Sequence, residues 1–192
     1  MELEKFLSEL EEFGNRNDSS QTDRTQKMLN ITKDTGEFLT VFIKAAKSRS
    51  ILEIGTSNGY STIWLAVGAK YTGGRITTID FSEAKAAMAK NNFEKAELTG
   101  LIEQVVDDAG NFLENAQADA YDFIFLDSQR SAYTAWLGDI KRILKRGGTL
   151  IVDNALSHKD EMDAFMALVD CDTDFTTCLL SVGNGQYIAV RE

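Results

Sequence analysis

The 192 residues contain no proline. No cis-proline turn, polyproline stretch or proline-bearing catalytic signature is therefore available. Histidine occurs once, as His158, and cysteine twice, as Cys171 and Cys178. That supply has no metal or redox spacing. With no signal peptide expected, the two thiols read as reduced, in a cytoplasmic protein. Long apolar runs are also missing, so no membrane span is expected. Positive charge is in deficit: 20 Lys and Arg face 30 Asp and Glu, for a net −10. This argues against a general nucleic-acid or anionic-membrane partner.

What is present is ordinary globular composition, 43% hydrophobic and 26% charged. Residues 1–192 read as a single domain with a substantial core. Leu3, Phe6, Leu7, Leu10 and Phe13 recur at helical spacing, which predicts a helix ending near Gly14. The polar stretch 15–24 reads as a linker, so residues 1–24 are a helix plus linker. The helix stripe suits packing on its own domain first and a homodimer contact second. A second helix is expected from Thr32 or Asp34, with Phe38, Leu39, Phe42 and Ile43 on one face.

Strands and helices then alternate. Strands are expected at 51–54, 75–80, 101–106, 121–126 and 149–152, with helices at 62–69, 83–95, 111–116, 133–144 and 158–169. Gly147-Gly148 reads as the stop after the fourth of these helices. Two last strands, 175–182 and 186–190, flank Gly183-Asn184-Gly185 and read as a hairpin. The expected architecture is α/β: a seven-stranded, mostly parallel sheet with an antiparallel C-terminal hairpin and helices on both faces.

The stretch from Ile51 to Ser61 organises the rest. A β-branched run reaches Glu53, and Gly55 and Gly59 follow with Ser57 midway. A glycine turn between a strand end and a helix start is where open α/β sheets bind nucleotide-like ligands. The Gly-x-x-x-Gly spacing is not the dinucleotide pattern, and an acidic residue at the mouth of the turn disfavours a pyrophosphate. S-adenosylmethionine (SAM) fits that charge logic better than NAD. Glu53 has two roles open to it, touching the ligand or ordering the turn. Asp80, 21 residues after Gly59, suits the ribose hydroxyls. Trp64 and Leu65 read as core.

Every strand end at this rim is polar: Asp80, Asp107-Asp108, Asp127, then Asp153-Asn154. Asp127, Asp153 and Asn154 offer three oxygen ligands, a set that suits a hard divalent cation such as Mg²⁺. Strand-end turn residues are the competing explanation of the same pattern.

In this order, Leu52-Glu53-Ile54-Gly55-Thr56, Gly59-Tyr60-Ser61, Thr78-Ile79-Asp80, Asp108-Ala109, Tyr121 through Asp127, Gly147-Gly148 and Asp153-Asn154 form a specific set. The chain from about Met28 to Arg191 resembles the metal-dependent class I O-methyltransferases of the catechol and caffeoyl-CoA type. The resemblance implies a Rossmann-like fold and methyl transfer from SAM to a hydroxyl of a small vicinal diol or phenol. It places Glu53, Gly55, Thr56, Ser57, Gly59, Tyr60 and Ser61 around SAM, with Asp80 and Phe81, Asp108 and Ala109, and Asp127 completing the site. Backbone near Ile31 would close over the methionine end. It assigns Asp127, Asp153 and Asn154 to the metal. The Asn-Pro-Pro-Tyr signature of amino-group methyltransferases is absent.

Two departures stand out. The family carries Asp-x-x-Lys, whereas this chain reads Asp127-Ser128-Gln129-Arg130. An arginine stays protonated and is a poor base. Three readings stay open. The metal alone ionises the hydroxyl, Arg130 stabilises an oxyanion or grips an acidic acceptor, or His158 takes the proton. The connection after Asn154 is also short for the family, which implies a more open acceptor site or one completed by a partner subunit. The alternatives to this function are a metal-independent SAM methyltransferase acting on an anionic molecule and a non-catalytic SAM-binding protein.

Overall fold

The computed structural model describes residues 3–192. In chain order the elements are α1 (Leu3–Ser20), α2 (Lys33–Ala46), β1 (Ser50–Ile54), α3 (Tyr60–Thr72), β2 (Arg75–Asp80), α4 (Glu83–Lys95) and β3 (Ile102–Val106). Then follow α5 (Ala109–Asn115), β4 (Tyr121–Leu126), α6 (Tyr133–Ile143), β5 (Leu144–Val152), α7 (Lys159–Asp170), β6 (Phe175–Leu180) and β7 (Gln186–Arg191). The sheet runs β3-β2-β1-β4-β5-β7-β6. The first five strands in that order are parallel, and β7 is antiparallel to both β5 and β6. The expected α/β sheet with its closing hairpin is the one found.

Alternation along each central strand builds two cores. In β4, Phe123 and Phe125 join the cluster that holds Phe6, Leu39 and Ile63. Ile124 and Leu126 face the other way, toward Ile140 and Phe165. Successive side chains of a strand point to opposite faces, so a strand covered on both sides must be apolar throughout. Strand order reverses between β1 and β4, and the crevice outside their carboxyl ends is where open sheets hold ligands.

Among the boundaries that differ from expectation, three bear on the core and the rim. First, α1 continues through residues 15–20, where a linker was expected. Gly14 is buried against Asn30: a Cβ there would lie 2.4 Å from Asn30 Nδ2. It is a close-contact glycine rather than a stop. Arg16 pairs with Glu12 at 3.5 Å, and Asp18 accepts the N–H groups of Met28 and Leu29 at 2.7 and 2.8 Å. The tertiary partner of those polar residues keeps them helical. The apolar stripe of α1, at Phe6, Leu7 and Leu10, is buried within the one chain.

Second, β5 begins at Leu144, not at 149. Leu144 pairs with Tyr121, and Thr149 with Phe123, so Gly147-Gly148 forms a bulge inside the strand. Gly147 has φ +74°, and a Cβ on Gly148 would lie 2.7 Å from the Lys145 carbonyl. Third, α3 starts directly at Tyr60, with Gly59 as its N-cap in the left-handed region. None of the helices among the described residues is long and apolar enough to cross a membrane.

Candidate functional site

The site begins with the glycine turn. Gly55 has φ +112°, and an added Cβ would sit 2.1 Å from the carbonyl oxygen of Asp127. Only glycine meets both conditions. The β1 and β4 loops therefore touch, which brings the two halves of the rim together. The N–H groups of Gly55 and Thr56 both donate to the Ile79 carbonyl, at 2.9 and 3.2 Å. Ser57, at φ +46°, donates its N–H to Asp80 Oδ2 at 2.8 Å and its hydroxyl to the Met28 carbonyl at 2.7 Å. The segment leading to Ile31 is thus pinned over the turn.

Glu53 is fully buried beneath the first turn of α3. Its Oε1 accepts from Ser61 Oγ at 2.6 Å. Its Oε2 accepts from Thr62 Oγ1, and from Thr78 Oγ1 at 2.6 Å. Because the single Thr78 proton goes to Glu53, Thr56 is the donor in the 2.6 Å contact between Thr56 and Thr78. Burial pushes the Glu53 carboxyl up to about 7, against the pull of the three hydroxyls. Its side chain has no solvent face, and the three hydroxyls it accepts from tie the turn to it.

The remaining residues expected around a cofactor are distributed as follows. Asp80 accepts from the N–H groups of Ser57 and Ser82 at 2.8 and 2.9 Å, which orients its carboxylate at the end of β2. Phe81 beside it is 80% exposed, an aromatic face with no protein cover. Asp108 caps α5, accepting from the Asn111 N–H at 3.1 Å, and Ala109 opens that helix. Gly59 packs against Phe93, where a Cβ would lie 2.5 Å away. The Tyr60 ring lies inside the core, edge-on to Trp64, so only its backbone belongs to the turn. The Ile31 side chain is buried in that same core.

Across the rim, Asp127 and Asp153 converge. Asn154, at φ +66°, donates its Nδ2 to Asp127 Oδ1 at 3.1 Å and to Asp153 Oδ2 at 3.0 Å. Both carboxylates thus aim at one point. Burial, followed by the Asp153 and Glu53 charges, raises the Asp127 carboxyl well above the usual range, and Arg130 opposes the rise. Burial also raises Asp153. The set has two carboxylates and one amide, and no cluster of three or more His, Cys, Asp or Glu forms among the described residues. The donors fit a hard cation in number and kind, provided the amide turns its oxygen inward.

Arg130 is buried, and its Nε donates to Glu161 Oε2 of α7 at 2.8 Å. His158 stands at the N-cap of α7, with Nδ1 2.9 Å from Ser157 Oγ. Sequence reasoning brought Arg130 and His158 to this side but missed three others. Glu161 holds Arg130, and Tyr133 OH accepts the Ser128 N–H at 2.7 Å. Gln186, fully buried, donates its Nε2 to Asp153 Oδ1. The signal for Gln186 was a polar residue on the same strand face as buried Ile188.

Comparison with known proteins agrees with this architecture. The chain is 32% identical over 143 residues to a catechol O-methyltransferase of Mycobacterium tuberculosis, an alignment covering 71% of this chain and 64% of that protein. A catechol O-methyltransferase of Niastella koreensis is 29% identical over 139 residues, covering 70% and 62%. The chain thus spans somewhat less than two thirds of the length of these relatives. An O-methyltransferase of Bacillus cereus, solved in complex with SAH, superposes with a TM-score of 0.79 at 26% identity, covering 98% of this chain and 91% of that one. The model of the O-methyltransferase family matches residues 2–191, which extends the likeness through α1, beyond the stretch from Met28 that sequence landmarks supported. From α1 to the last strand, this chain belongs to the O-methyltransferase family.

Proposed function

We propose that this protein transfers the methyl group of SAM to a hydroxyl of a small vicinal diol or phenol, with a divalent cation such as Mg²⁺ held by Asp127, Asp153 and Asn154. The observation that carries this reading is the convergence of the two carboxylates on one point, 3.0 and 3.1 Å from the Asn154 amide nitrogen. That point adjoins the glycine turn through the contact of Gly55 with the Asp127 backbone. The SAH carried by the Bacillus cereus relative supports the cofactor, and the names of the two curated relatives support a diol acceptor.

When bound, SAM supplies an electrophilic methyl group, and a divalent cation supplies the Lewis acidity that makes a hydroxyl ionise near neutral pH. The protein's own residues bind and orient. Asp80 presents an oriented carboxylate to the ribose hydroxyls. Phe81, Asp108 and Ala109, which follow β2 and β3, would hold the adenine. The Met28–Ile31 segment, tied to Ser57, would cover the methionine end. Methyl transfer needs alignment of acceptor oxygen and methyl carbon more than covalent help from the protein.

A guanidinium only donates hydrogen bonds and makes a poor base. The Arg130 Nε is committed to Glu161, so the end of its guanidinium serves as a fixed positive charge beside Asp127 and Asp153. In this reading it stabilises negative charge on the acceptor oxygen. In the reading that gives His158 the acceptor's proton, its Nδ1 is the nitrogen held by Ser157, 2.9 Å away. A cation-independent transfer is the second reading, favoured by the Asn154 amide already bridging both carboxylates.

Calorimetry tests the proposal. SAM binds, NAD does not, and wild-type protein takes up Mg²⁺ whereas Asp153→Ala does not. Absence of SAM binding at millimolar concentration sinks the main reading. SAM binding and turnover that ignore both Mg²⁺ and a chelator select the cation-independent one. A methyl-transfer screen across catechols, hydroxycinnamates and acidic diols then identifies the acceptor.

A further inference from the structure

We infer that Gln186 is a positioning residue that turns one oxygen of Asp153 away from the cation point and leaves the other aimed at it. This inference rests on the cation reading above. Gln186 is fully buried at the first position of β7. Its Nε2 donates to Asp153 Oδ1 and lies 3.3 Å from Thr35 Oγ1 and 3.4 Å from the Val182 carbonyl. A carboxylate only accepts hydrogen bonds, so the amide nitrogen must be the end facing Asp153. Asp153 Oδ2 is the oxygen that meets Asn154, at the point shared with Asp127. One oxygen is therefore occupied from behind and one is presented, the arrangement of a monodentate ligand.

Two further observations support the role. Gln186 Oε1 is buried without any hydrogen-bond partner. An orphaned buried carbonyl costs stability, so packing alone is better served by an apolar side chain of the same length. What the amide contributes is its donor to Asp153. The second observation is the rigidity of the frame. The Gly183 N–H donates to Asp34 Oδ2 at 3.1 Å, and a Cβ on Gly183 would lie 2.2 Å from Thr35 Oγ1. The hairpin is thus seated on the start of α2, and Gln186 reaches Asp153 from a fixed base. Outer partners of this kind orient metal-binding side chains in other proteins.

Gln186→Met keeps length and bulk and removes the donor. We expect it to weaken Mn²⁺ binding, read by electron paramagnetic resonance on the full chain, by about tenfold to a hundredfold. Its SAM affinity is expected to stay at the wild-type value, which a general packing defect would not leave intact. Should Gln186→Met not fold, Gln186→Leu, which also removes the donor, carries the same test with the same expected loss. Mn²⁺ affinity within twofold of wild type overturns the inference. If wild type itself takes up no Mn²⁺, the cation reading fails by that result alone. Gln186 is then judged on crystal structures of the metal-free proteins: a rotated Asp153 carboxylate in the variant supports the positioning role, and an unmoved one overturns it.

Discussion

The two sides of the rim are built from the same material, buried and half-buried carboxylates near strand ends, and use it in opposite ways. On the β1–β2 side, Glu53 is surrounded by three hydroxyl donors and Asp80 by two backbone N–H groups. On the β4–β5 side, Asp127 and Asp153 face each other across a single amide, and burial and their mutual repulsion hold Asp127 well above the usual carboxylate range. The first side is closed by hydrogen bonds the chain supplies itself. The second carries two carboxylates whose charge Arg130, itself paired with Glu161, offsets only in part. A carboxylate ringed by donors shapes a turn, whereas the crowded pair is where the proposed cation would sit.

The largest effect should come from breaking the contact that joins the two sides. Gly55→Ala forces a side chain into a left-handed backbone conformation and into the Asp127 carbonyl. A loss of about 3 kcal/mol is expected in urea unfolding, together with loss of SAM binding. A variant of wild-type stability would show that the loops separate easily.

Next is the pH response of the closed side. The folded Glu53 carboxyl sits near 7, above its ordinary value of 4.5, so the folded state holds its proton more tightly than the unfolded chain does. The Glu53 contribution to stability is therefore full below pH 4.5 and is lost as pH rises through 7. At 1.36 kcal/mol per pH unit, this amounts to about 3 kcal/mol. Glu53→Gln should flatten that part of the stability–pH curve measured by urea midpoints between pH 4.5 and 8. An unchanged slope in the variant would assign the whole dependence to Asp127 and Asp153.

The open side should respond with the opposite sign to loss of charge. Asp127→Asn removes the like-charge crowding and should raise stability at pH 8 by about 1 kcal/mol, while abolishing Mn²⁺ uptake. A thermal melt and a metal titration on the same sample check both halves. A destabilised variant would mean that Asp127 is balanced after all. Smallest of all, Glu161→Gln should lower the melting temperature by about 1 °C or less, since the Glu161 side chain is 52% exposed and solvent screens its pairing with Arg130. A loss several times larger would make that pair part of the core of the site.

Much of the site was legible because it lies in short, local patterns. The Gly55–Gly59 turn, Asp80 and the Asp153-Asn154 step are read within a few residues of a strand end, where backbone geometry dictates which residue types fit. What escaped notice depends on distant partners. Glu161 meets Arg130 across 31 positions, Gln186 meets Asp153 across 33, and Thr35 meets Gln186 across 151. The length of α1 escaped for the same reason: its polar last turn is held by residues 26–29, not by its own propensity.

The alternation of apolar strands and amphipathic helices determined, by itself, an α/β sheet with a polar rim and a closing hairpin, because the periods of strand and helix are written in local spacing. It also placed the candidate ligands on that rim. Only the tertiary structure decided what each carboxylate does. Glu53 went beneath a helix and became part of the scaffold. Asp127 and Asp153 were brought to a common point, with Gln186 behind one of them. The difference is set by which donors folding brings within hydrogen-bond reach, and a one-dimensional pattern does not contain that distance.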